Sequence, residues 1–276
     1  MLISHTICHQ GLLRDRNEDS FISNTDGGVW LVADGVGGNV GGELASQISV
    51  QAVDRKLRQG SSLIAAIEEA NQAILSAVSQ QPDLKGMATT IVAVKFTKCQ
   101  FELAWVGDSR AYVIDTTGIH LLSEDHNVAN ELFVNGEISQ QEASTHPGRH
   151  ELTQALGQFS LADIPVKTGQ LNDGSMLLLC TDGLSGVLSE ELIFKTLRKK
   201  SSLEDISNEL LDLVLAAGAP DNVTLSLIKY QDDLNASSET IEKASSDNFK
   251  VINKAPITWS ILFIVFLLLA LLFYVD

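Results

Sequence analysis

Four aspartates stand at the ends of apolar segments that the sequence predicts as buried strands. Three follow such a segment and one precedes it: Val29–Ala33 leads to Asp34, Leu103–Gly107 to Asp108, Met176–Thr181 to Asp182, and Asp221 comes two residues before Val223–Ile228. Strands of a sheet would gather these carboxylates onto one edge, where like charges without cations repel one another and resist burial. Divalent cations would remove that repulsion, and oxygen-only ligands favour magnesium or manganese over zinc. The sequence therefore predicts a site for hard metal ions.

Two further segments place charge or glycine beside the predicted strands. Arg14–Ser20 is densely charged, and by itself such a run is typical of a solvated loop. Asp34–Glu43 holds a glycine-rich turn between a strand and a helix, where glycines let backbone groups approach a ligand closely. By itself this turn fits a dinucleotide or phosphate loop as well as a metal loop. Neither GxGxxG nor GxxxxGK(S/T) is present, which disfavours both nucleotide interpretations.

Composition and charge limit the class of protein. The 276 residues suffice for one large domain or two small ones, and the 45% of hydrophobic residues are ample for a packed core. A formal net charge of -16 and the lack of a basic stripe argue against a nucleic-acid partner. Cys8, Cys99 and Cys180 form no CxxC pair and are predicted to be reduced core thiols.

Helix and strand signals alternate unevenly along the chain. Apolar residues at helical spacing predict helices over 42–58, 63–78, 190–198 and 203–217. Ser61 or Ser62 is predicted to cap the second of these helices. The predicted antiparallel hairpins pair 89–96 with 101–106 and 111–114 with 119–122. Paired helices around a middle rich in strands predict an α+β fold with helices packed outside antiparallel sheets.

Five short motifs occur in a fixed order along the chain. They are RxxxED at 14–19, DGxGG at 34–38, GDSR at 107–110, TDG at 181–183 and DN at 221–222. In order and spacing they resemble the metal-dependent type 2C protein serine/threonine phosphatases (PPM type), bacterial branch, and the resemblance covers residues 5 to 230. It implies a phosphatase domain over 1–230 in which two antiparallel sheets pack as a sandwich flanked by helices, a four-layer αββα arrangement. The helical segment 126–157 resembles the flap of bacterial members.

The resemblance implies a metal-binding role for the strand-end acids. Asp34 corresponds to the carboxylate that bridges two metal ions, and the carbonyl of Gly35 corresponds to the group that completes the first ion's ligands. Asp182 and Asp221 correspond to ligands of the second ion. A catalytic role is therefore implied for Asp34 and Asp182, together with Arg14.

The same resemblance implies roles for residues around those acids. Glu18 and Asp19 correspond to the pair that holds the water shell of the metals. Asp108 corresponds to a ligand of a third, weaker ion, shared with the second-site aspartate. Arg14 corresponds to the arginine that binds the substrate phosphate, for which a forked guanidinium is better suited than a lysine. Arg16 stands outside that position and is predicted to be a loop charge.

The resemblance also implies a mechanism, direct hydrolysis by a water shared between two metal ions, without a phosphoenzyme. Relatives with DGHGG have a histidine that can donate a proton to the leaving oxygen, but this chain has Val36 at that place. We hypothesise that a metal-bound water near Asp108 supplies the proton instead. The sequence shows no Ser-His-Asp order, so nucleophilic catalysis is not predicted.

The histidines show no zinc-binding pattern. None of the six is spaced as HxxxH or HxH: His5, His9, His120, His126, His146 and His150. Most are predicted to be surface or hydrogen-bonding residues. His126 and His146 flank the flap and are the candidates for contact with substrate.

The C-terminal part of the chain has the composition of a membrane anchor. Residues 257–275 are apolar and uncharged, and at about 1.5 Å per residue they span roughly 28 Å, close to the bilayer core of about 30 Å. Positive charges precede this stretch at Lys243, Lys250 and Lys254. The positive-inside rule therefore predicts a single-pass anchor over 256–276 with the domain on the cytoplasmic face of the inner membrane. Residues 231–255 are predicted to be a flexible polar linker.

Together these observations predict a membrane-tethered phosphatase that hydrolyses phosphoserine and phosphothreonine in proteins. Its cofactors would be two, or with a third site three, Mn²⁺ or Mg²⁺ ions. The resemblance implies phosphoproteins as partners, including a bacterial serine/threonine protein kinase and its targets. Two alternatives stay open: a catalytically silent phosphopeptide-binding scaffold, and a phosphatase of small phosphomonoesters. The presence of Asp34, Asp182 and Asp221 favours an active enzyme over a silent scaffold.

Overall fold

The computed structural model describes residues 1–37, 41–158, 161 and 164–232. The strands of these residues are β1 Leu2–His9, β2 Ser20–Asn24, β3 Val29–Ala33, β4 Gly35–Val36, β5 Ala88–Thr89, β6 Ile91–Thr97, β7 Gln100–Val106, β8 Arg110–Ile114, β9 Ile119–Leu121, β10 Val166–Gln170, β11 Met176–Cys180 and β12 Val223–Tyr230. The helices are α1 Gly41–Arg58, α2 Leu63–Gln80, α3 Val128–Val134, α4 Gln140–Thr145, α5 Asp182–Ser185, α6 Glu190–Leu197 and α7 Leu203–Ala216. Short 3₁₀ helices lie at Pro82–Leu84 and Pro147–His150.

The longer strands pair into two antiparallel sheets of five strands each. The first sheet has the order β1-β12-β11-β8-β9, and the second has the order β10-β7-β6-β3-β2. The short strands β4 and β5 pair with each other, with Gly35 opposite Thr89. Strands β7 and β8 follow one another closely in the chain yet lie in different sheets. The chain therefore crosses between the sheets at the GDSR motif.

The sheets pack face to face, and inner strands such as β3 and β11 are buried on both sides. In β3, Trp30 and Val32 belong to the cluster between the sheets, which also holds Leu177 of β11. Leu31 and Ala33 point to the other side and pack in the cluster formed with α1 and α2. A third cluster packs α6 and α7 against the outer face of the first sheet, with Leu178, Ile193 and Leu210 fully buried. The order of layers is thus helices, sheet, sheet, helices.

Helix α2 shows how the sequence specifies one of the outer layers. Ser62 caps the helix, and its side chain accepts a hydrogen bond from the backbone N–H of Ala65 at 3.2 Å. Leu63, Ile67 and Ile74 are fully buried and recur at helical spacing, so that one face of the helix is apolar and packs on the core. The predicted helix over 63–78 and its serine cap are confirmed.

The predicted α+β class is confirmed, and both predicted hairpins are present as β6–β7 and β8–β9. Strand β1 was not predicted. Among the described residues, no helix has the length and apolar character that a membrane span requires. The predicted anchor over 256–276 and all of the predicted linker except 231 and 232 lie outside the described residues.

Candidate active site

The four strand-end aspartates meet at one end of the sandwich, between the two sheets. Asp34 follows β3 and Asp108 follows β7, both of the second sheet. Asp182 follows β11 as the first residue of α5, and Asp221 lies two residues before β12, both strands of the first sheet. The prediction that one sheet edge gathers all four carboxylates was wrong. Two sheets contribute two each, and their packing brings the acids together.

A cavity of about 770 Å³ opens where these acids meet. Of the residues predicted for the site, those lining the cavity are Arg14, Glu18, Asp34, Gly35, Asp108, Asp182 and Asp221. Asp19 is the exception, since it is buried beside the cavity, where its Oδ2 accepts a hydrogen bond from the Thr181 hydroxyl at 3.0 Å. Val36, the residue after Gly35, also lines the cavity. The residues named from the motifs are therefore neighbours in space.

Close contact between backbone segments explains two glycines at the floor of the cavity. A Cβ atom on Gly35 would lie 2.1 Å from the carbonyl oxygen of Gly42 and 2.7 Å from that of Glu18. A Cβ atom on Gly42 would lie 2.6 Å from the carbonyl oxygen of Gly35. Any side chain at these positions would separate the segment after β3 from the start of α1 and from the Glu18 loop. The glycine-rich turn thus permits a backbone crossing that brings the Gly35 peptide to the site.

Asp34 is fixed through its backbone by a pair of hydroxyl residues. Its N–H donates to the Thr90 hydroxyl at 3.0 Å, and its carbonyl oxygen accepts from the Thr90 N–H at 2.8 Å. The Thr90 hydroxyl also lies 2.7 Å from that of Ser109, in the GDSR motif. Thr90 therefore links the Asp34 turn to the segment that carries Asp108.

Asn222 organises the loop that carries Arg14 and Glu18. Its Oδ1 accepts from the backbone N–H of Glu18 at 2.8 Å, and its Nδ2 donates to the carbonyl oxygens of Gln10 and Arg16 at 2.7 and 2.8 Å. The residue is buried. Asn222, next to Asp221, thus holds the loop of Arg14 and Glu18 in place. These hydrogen bonds link two parts of the site that are far apart in sequence.

Replacing Asn222 with alanine is expected to lower the free energy of unfolding by about 3 kcal/mol, since three hydrogen bonds of roughly 1 kcal/mol each are lost. The melting temperature should fall by roughly 6–12 °C, as each kcal/mol corresponds to about 2–4 °C at this size. Thermal denaturation measures the change, and Asn172→Ala, at an exposed position, is the control. A loss below about 1 kcal/mol would contradict the role given to Asn222.

Burial and the crowding of carboxylates determine the electrostatics of the site. Loss of hydration, followed by the charges of Asp19, Asp182, Asp108 and Asp221, raises the pKa of Asp34 well above its ordinary value. Burial and neighbouring carboxylates raise the pKa of Asp19 to about 7 and that of Asp108 to about 7. The protein would hold protons at neutral pH where a bound cation could replace them.

Arg14 forms an ion pair with Asp221 at the cavity. Its Nη2 donates to Asp221 Oδ2 at 2.6 Å, and 51% of the side chain remains exposed at the mouth of the cavity. Arg16 lies 3.7 Å from Glu43 in a second, exposed ion pair. An exposed guanidinium beside the acidic cavity is accessible to an anion entering from solvent.

The donors of the cavity fit hard cations by their chemistry. Within the described residues, no three His, Cys, Asp or Glu side chains are placed to hold one ion by themselves. Asp19 Oδ1 and Asp182 Oδ1 are nonetheless buried, and neither has a hydrogen-bond partner in the part of the chain that the structure describes, which is costly unless a cation or water fills the place. Carboxylate and backbone carbonyl oxygens are the ligands of magnesium and manganese, and these ions usually retain several waters. Water and backbone carbonyl oxygens can therefore complete the ligands of such a site beside the carboxylates.

The flap histidine that reaches the site is His150 rather than His126 or His146. His150 and Arg149 line the cavity, and the Asp182 carboxylate facing His150 raises its pKa. His126 Nδ1 instead accepts from the Gly107 N–H, and His146 Nδ1 accepts from the Gly148 N–H and caps the 3₁₀ helix. No spacing in the sequence identified His150, because only the fold of the flap brings it to Asp182.

Comparison with known proteins places this architecture in one family. Residues 10–225 match the family described as protein phosphatase 2C. The chain is 31% identical over 233 residues to the serine/threonine phosphatase stp of Listeria welshimeri, a match that covers 80% of this chain and 92% of the relative. It is 33% identical over 222 residues to the serine/threonine protein phosphatase PstP of Mycobacterium tuberculosis, covering 78% of this chain and 42% of that protein.

Solved structures give the same result. The catalytic domain of PstP in complex with two manganese ions superposes with a TM-score of 0.75 at 30% identity, over 84% of this chain and 99% of that one. The phosphatase Stp1 of Staphylococcus aureus superposes with a TM-score of 0.78 at 30% identity, over 84% and 96% of the two chains. These matches to serine/threonine phosphatases cover most of the chain, including its αββα layers and its acidic cavity. The chain belongs to the protein phosphatase 2C family and is an enzyme.

Proposed function

We propose that the chain hydrolyses phosphoserine and phosphothreonine in proteins and that it depends on Mn²⁺ or Mg²⁺. The observation that carries the proposal is the cavity in which Asp34, Asp108, Asp182 and Asp221 meet beside Arg14. The names of the relatives and the two manganese ions of the PstP complex support the same activity and cofactor.

Each acid has a proposed place around the ions. Asp34 and the carbonyl of Gly35 would hold the first ion, and Asp34 would share the second with Asp182 and Asp221. Bound ions supply the positive charge that lowers the pKa of the attacking water and stabilises the phosphoryl oxygens. The raised pKa of Asp34 supports this proposal, because the same crowding of negative charge favours a cation.

Three further acids complete the proposed site. Glu18 lines the cavity and Asp19 lies buried beside it, and both would hold water around the ions. Asp108 would contribute to a third ion together with Asp182. The charges of these two aspartates act on one another, since Asp182 contributes to the raised pKa of Asp108.

Arg14 would bind the phosphate of the substrate. Its planar guanidinium can donate two parallel hydrogen bonds to phosphate oxygens. Arg14 pairs with Asp221 and lines the cavity, and about half of its side chain remains exposed. If Asp221 held a metal ion, the guanidinium of Arg14 would be released from this ion pair and available to the phosphate.

Replacing Asp108 with asparagine tests the proposal that a water held at this residue protonates the leaving oxygen. General-acid catalysis contributes about 10²–10⁴-fold, so kcat on a phosphothreonine peptide should fall by about a hundredfold or more. Hydrolysis of p-nitrophenyl phosphate should fall much less, because nitrophenolate leaves without a proton. Equal losses on both substrates, or an unchanged rate on the peptide, would rule out this role for Asp108.

The choice between protein and small-molecule substrates is tested by comparing kcat/KM for a phosphothreonine peptide with kcat/KM for sugar phosphates. The proposal expects the peptide to be strongly preferred. Preference for a sugar phosphate would favour the small-phosphomonoester alternative. Binding of the peptide without turnover in the presence of Mn²⁺ would favour the silent scaffold.

A membrane tether at the cytoplasmic face is part of the proposal and rests on the sequence of 231–276 alone. The apolar residues 257–275, preceded by lysines and a polar linker, support it. A tethered phosphatase would meet phosphoproteins close to the inner membrane, including a serine/threonine kinase and its targets.

Removing residues 255–276 is expected to release the enzyme into the soluble fraction with unchanged turnover of a phosphothreonine peptide. The reason is that the cavity and its acids are complete within the described residues. Fractionation of cells that express the full and the shortened chains measures the change. A shortened chain that stays with the membrane, or that is insoluble and inactive, would contradict the anchor.

A further inference from the structure

Two flap residues form the wall between two cavities. Arg149 and His150 end the 3₁₀ helix Pro147–His150, and both line the active-site cavity. They also line a second cavity of about 660 Å³, between the flap helices and the first sheet. Asp108 and Asp182 line both cavities as well. Arg149 and His150 are therefore the flap residues that lie beside Asp108 and Asp182 in both cavities.

Arg149 fixes the orientation of the His150 ring. Its Nε donates to His150 Nε2 at 2.8 Å, and its Nη1 donates to the carbonyl oxygen of Ser144 in α4 at 2.9 Å. An imidazole whose Nε2 accepts a hydrogen bond is neutral and carries its proton on Nδ1. Nδ1 is therefore the donor, and it faces Asp182.

The two oxygens of Asp182 have different surroundings. Oδ2 lies 3.5 Å from His150 Nδ1, and Oδ1 is buried without a hydrogen-bond partner among the described residues. The carboxylate sits at the start of α5, whose backbone is fixed because Thr181 donates from its N–H to the Thr224 carbonyl oxygen at 3.0 Å. One oxygen thus faces the flap histidine, and the other is buried without a hydrogen-bond partner among the described residues.

We propose that His150 is a positioning residue, which holds Asp182 Oδ2 from the flap so that Oδ1 is directed to the metal ion. The proposal rests on the proposed function, in which Asp182 is a metal ligand. Groups that hydrogen-bond to metal ligands commonly change metal affinity by about 10–100-fold when they are removed. His150 Nδ1 lies 3.5 Å from Asp182 Oδ2, and 55% of the His150 side chain is exposed. We therefore expect a change in metal affinity at the lower end of that range.

The proposal connects the flap to the metal site. Since Arg149 bonds to α4 as well as to His150, a displacement of α4 would withdraw the donor from Asp182. The affinity of the second ion then depends on the position of the flap. The flap would act on the enzyme through its metal content as well as through access to the cavity.

The test measures Mn²⁺ binding rather than turnover. The full-length chain, purified in detergent, is titrated with Mn²⁺ by calorimetry as wild type, His150→Leu and His150→Asn. Leucine removes the donor, and we expect Mn²⁺ affinity at one class of sites to fall about tenfold. Asparagine places an N–H near the position of Nδ1, and we expect affinity within about twofold of wild type.

His120→Leu is the matched control, because His120 is 50% exposed in its side chain and lies on β9, away from the cavity. It should bind Mn²⁺ as wild type does. Unchanged affinity in His150→Leu would overturn the proposal, and so would equal losses in the leucine and asparagine variants. Failure of the wild-type chain to bind Mn²⁺ would instead overturn the proposed function, on which the inference rests. Circular dichroism of each variant checks that the fold is retained.

Discussion

Replacing Asp34 with asparagine is expected to lower kcat on a phosphothreonine peptide by about a thousandfold or more. Metal ions supply several kcal/mol of transition-state stabilisation, and each 1.36 kcal/mol, roughly, is a factor of ten in rate. Asparagine keeps the shape of the side chain and removes the charge that would hold both ions. Asp182→Asn should give a loss of the same order. The measurement is steady-state hydrolysis with saturating Mn²⁺.

The same substitution is expected to stabilise the protein when metal is absent. In the folded state, desolvation and four neighbouring carboxylates oppose ionisation of Asp34. Its raised pKa means that stability is full at acid pH and is lost as pH rises through the folded-state value. Asparagine has no such loss, so at pH 8 the metal-free variant should melt above wild type, by about 2–4 °C for each kcal/mol of repulsion removed.

The control for both measurements is Asp26→Asn, an exposed aspartate in the turn between β2 and β3 that changes the net charge equally. It should leave turnover and melting temperature unchanged. A variant of Asp34 that keeps a tenth of wild-type activity would contradict the bridging role. A metal-free variant that melts below wild type at pH 8 would contradict the electrostatic argument.

Removing the metal with a chelator is expected to abolish activity reversibly and to lower the melting temperature more at pH 8 than at pH 6. A ligand at a hundred times its Kd stabilises by about 2.7 kcal/mol, which corresponds to roughly 5–11 °C at this size. Addition of excess Mn²⁺ should restore both quantities. Scanning calorimetry with and without chelator, at the two pH values, measures the difference.

The sign of the pH effect follows from the buried acids. Asp19 and Asp108 have pKa values raised from an ordinary value of 3.8 to about 7. Between these values the folded, metal-free protein binds more protons than the unfolded chain, so its stability falls as pH rises. A bound cation offsets the repulsion between the carboxylates. The stability that the cation adds therefore grows as pH rises. Equal falls in melting temperature at pH 6 and pH 8 on adding the chelator would contradict a metal in the acidic cavity. Turnover that survives chelation would contradict it as well.

Local patterns in the sequence were sufficient for most of the secondary structure. The hairpins β6–β7 and β8–β9 were predictable because each strand is joined to its partner by a short turn. Strand β1 was not, because its partner β12 lies more than two hundred residues later, with Leu2 opposite Tyr230. Pairing between strands so far apart in the chain cannot be recognised from a short window of sequence.

The identities of the acids were predictable, whereas their arrangement was not. Asp34 comes directly after a buried strand and Asp182 two residues after one, and such positions were identified from the apolar segments before them. The division of the acids between two sheets depends on the crossing from β7 to β8 at Asp108, which no periodicity reveals. His150 was missed for the same reason, since it meets Asp182 only through the path of the flap.

The place of β12 in the first sheet has a consequence for synthesis of the protein. This strand is synthesised last among those described, yet it lies between β1 and β11. Asp221 lies two residues before its first residue. A nascent chain on the ribosome therefore has a gap beside its first strand and an incomplete set of acids until β12 emerges. We expect catalysis to begin only after this insertion, so that translation intermediates cannot dephosphorylate anything.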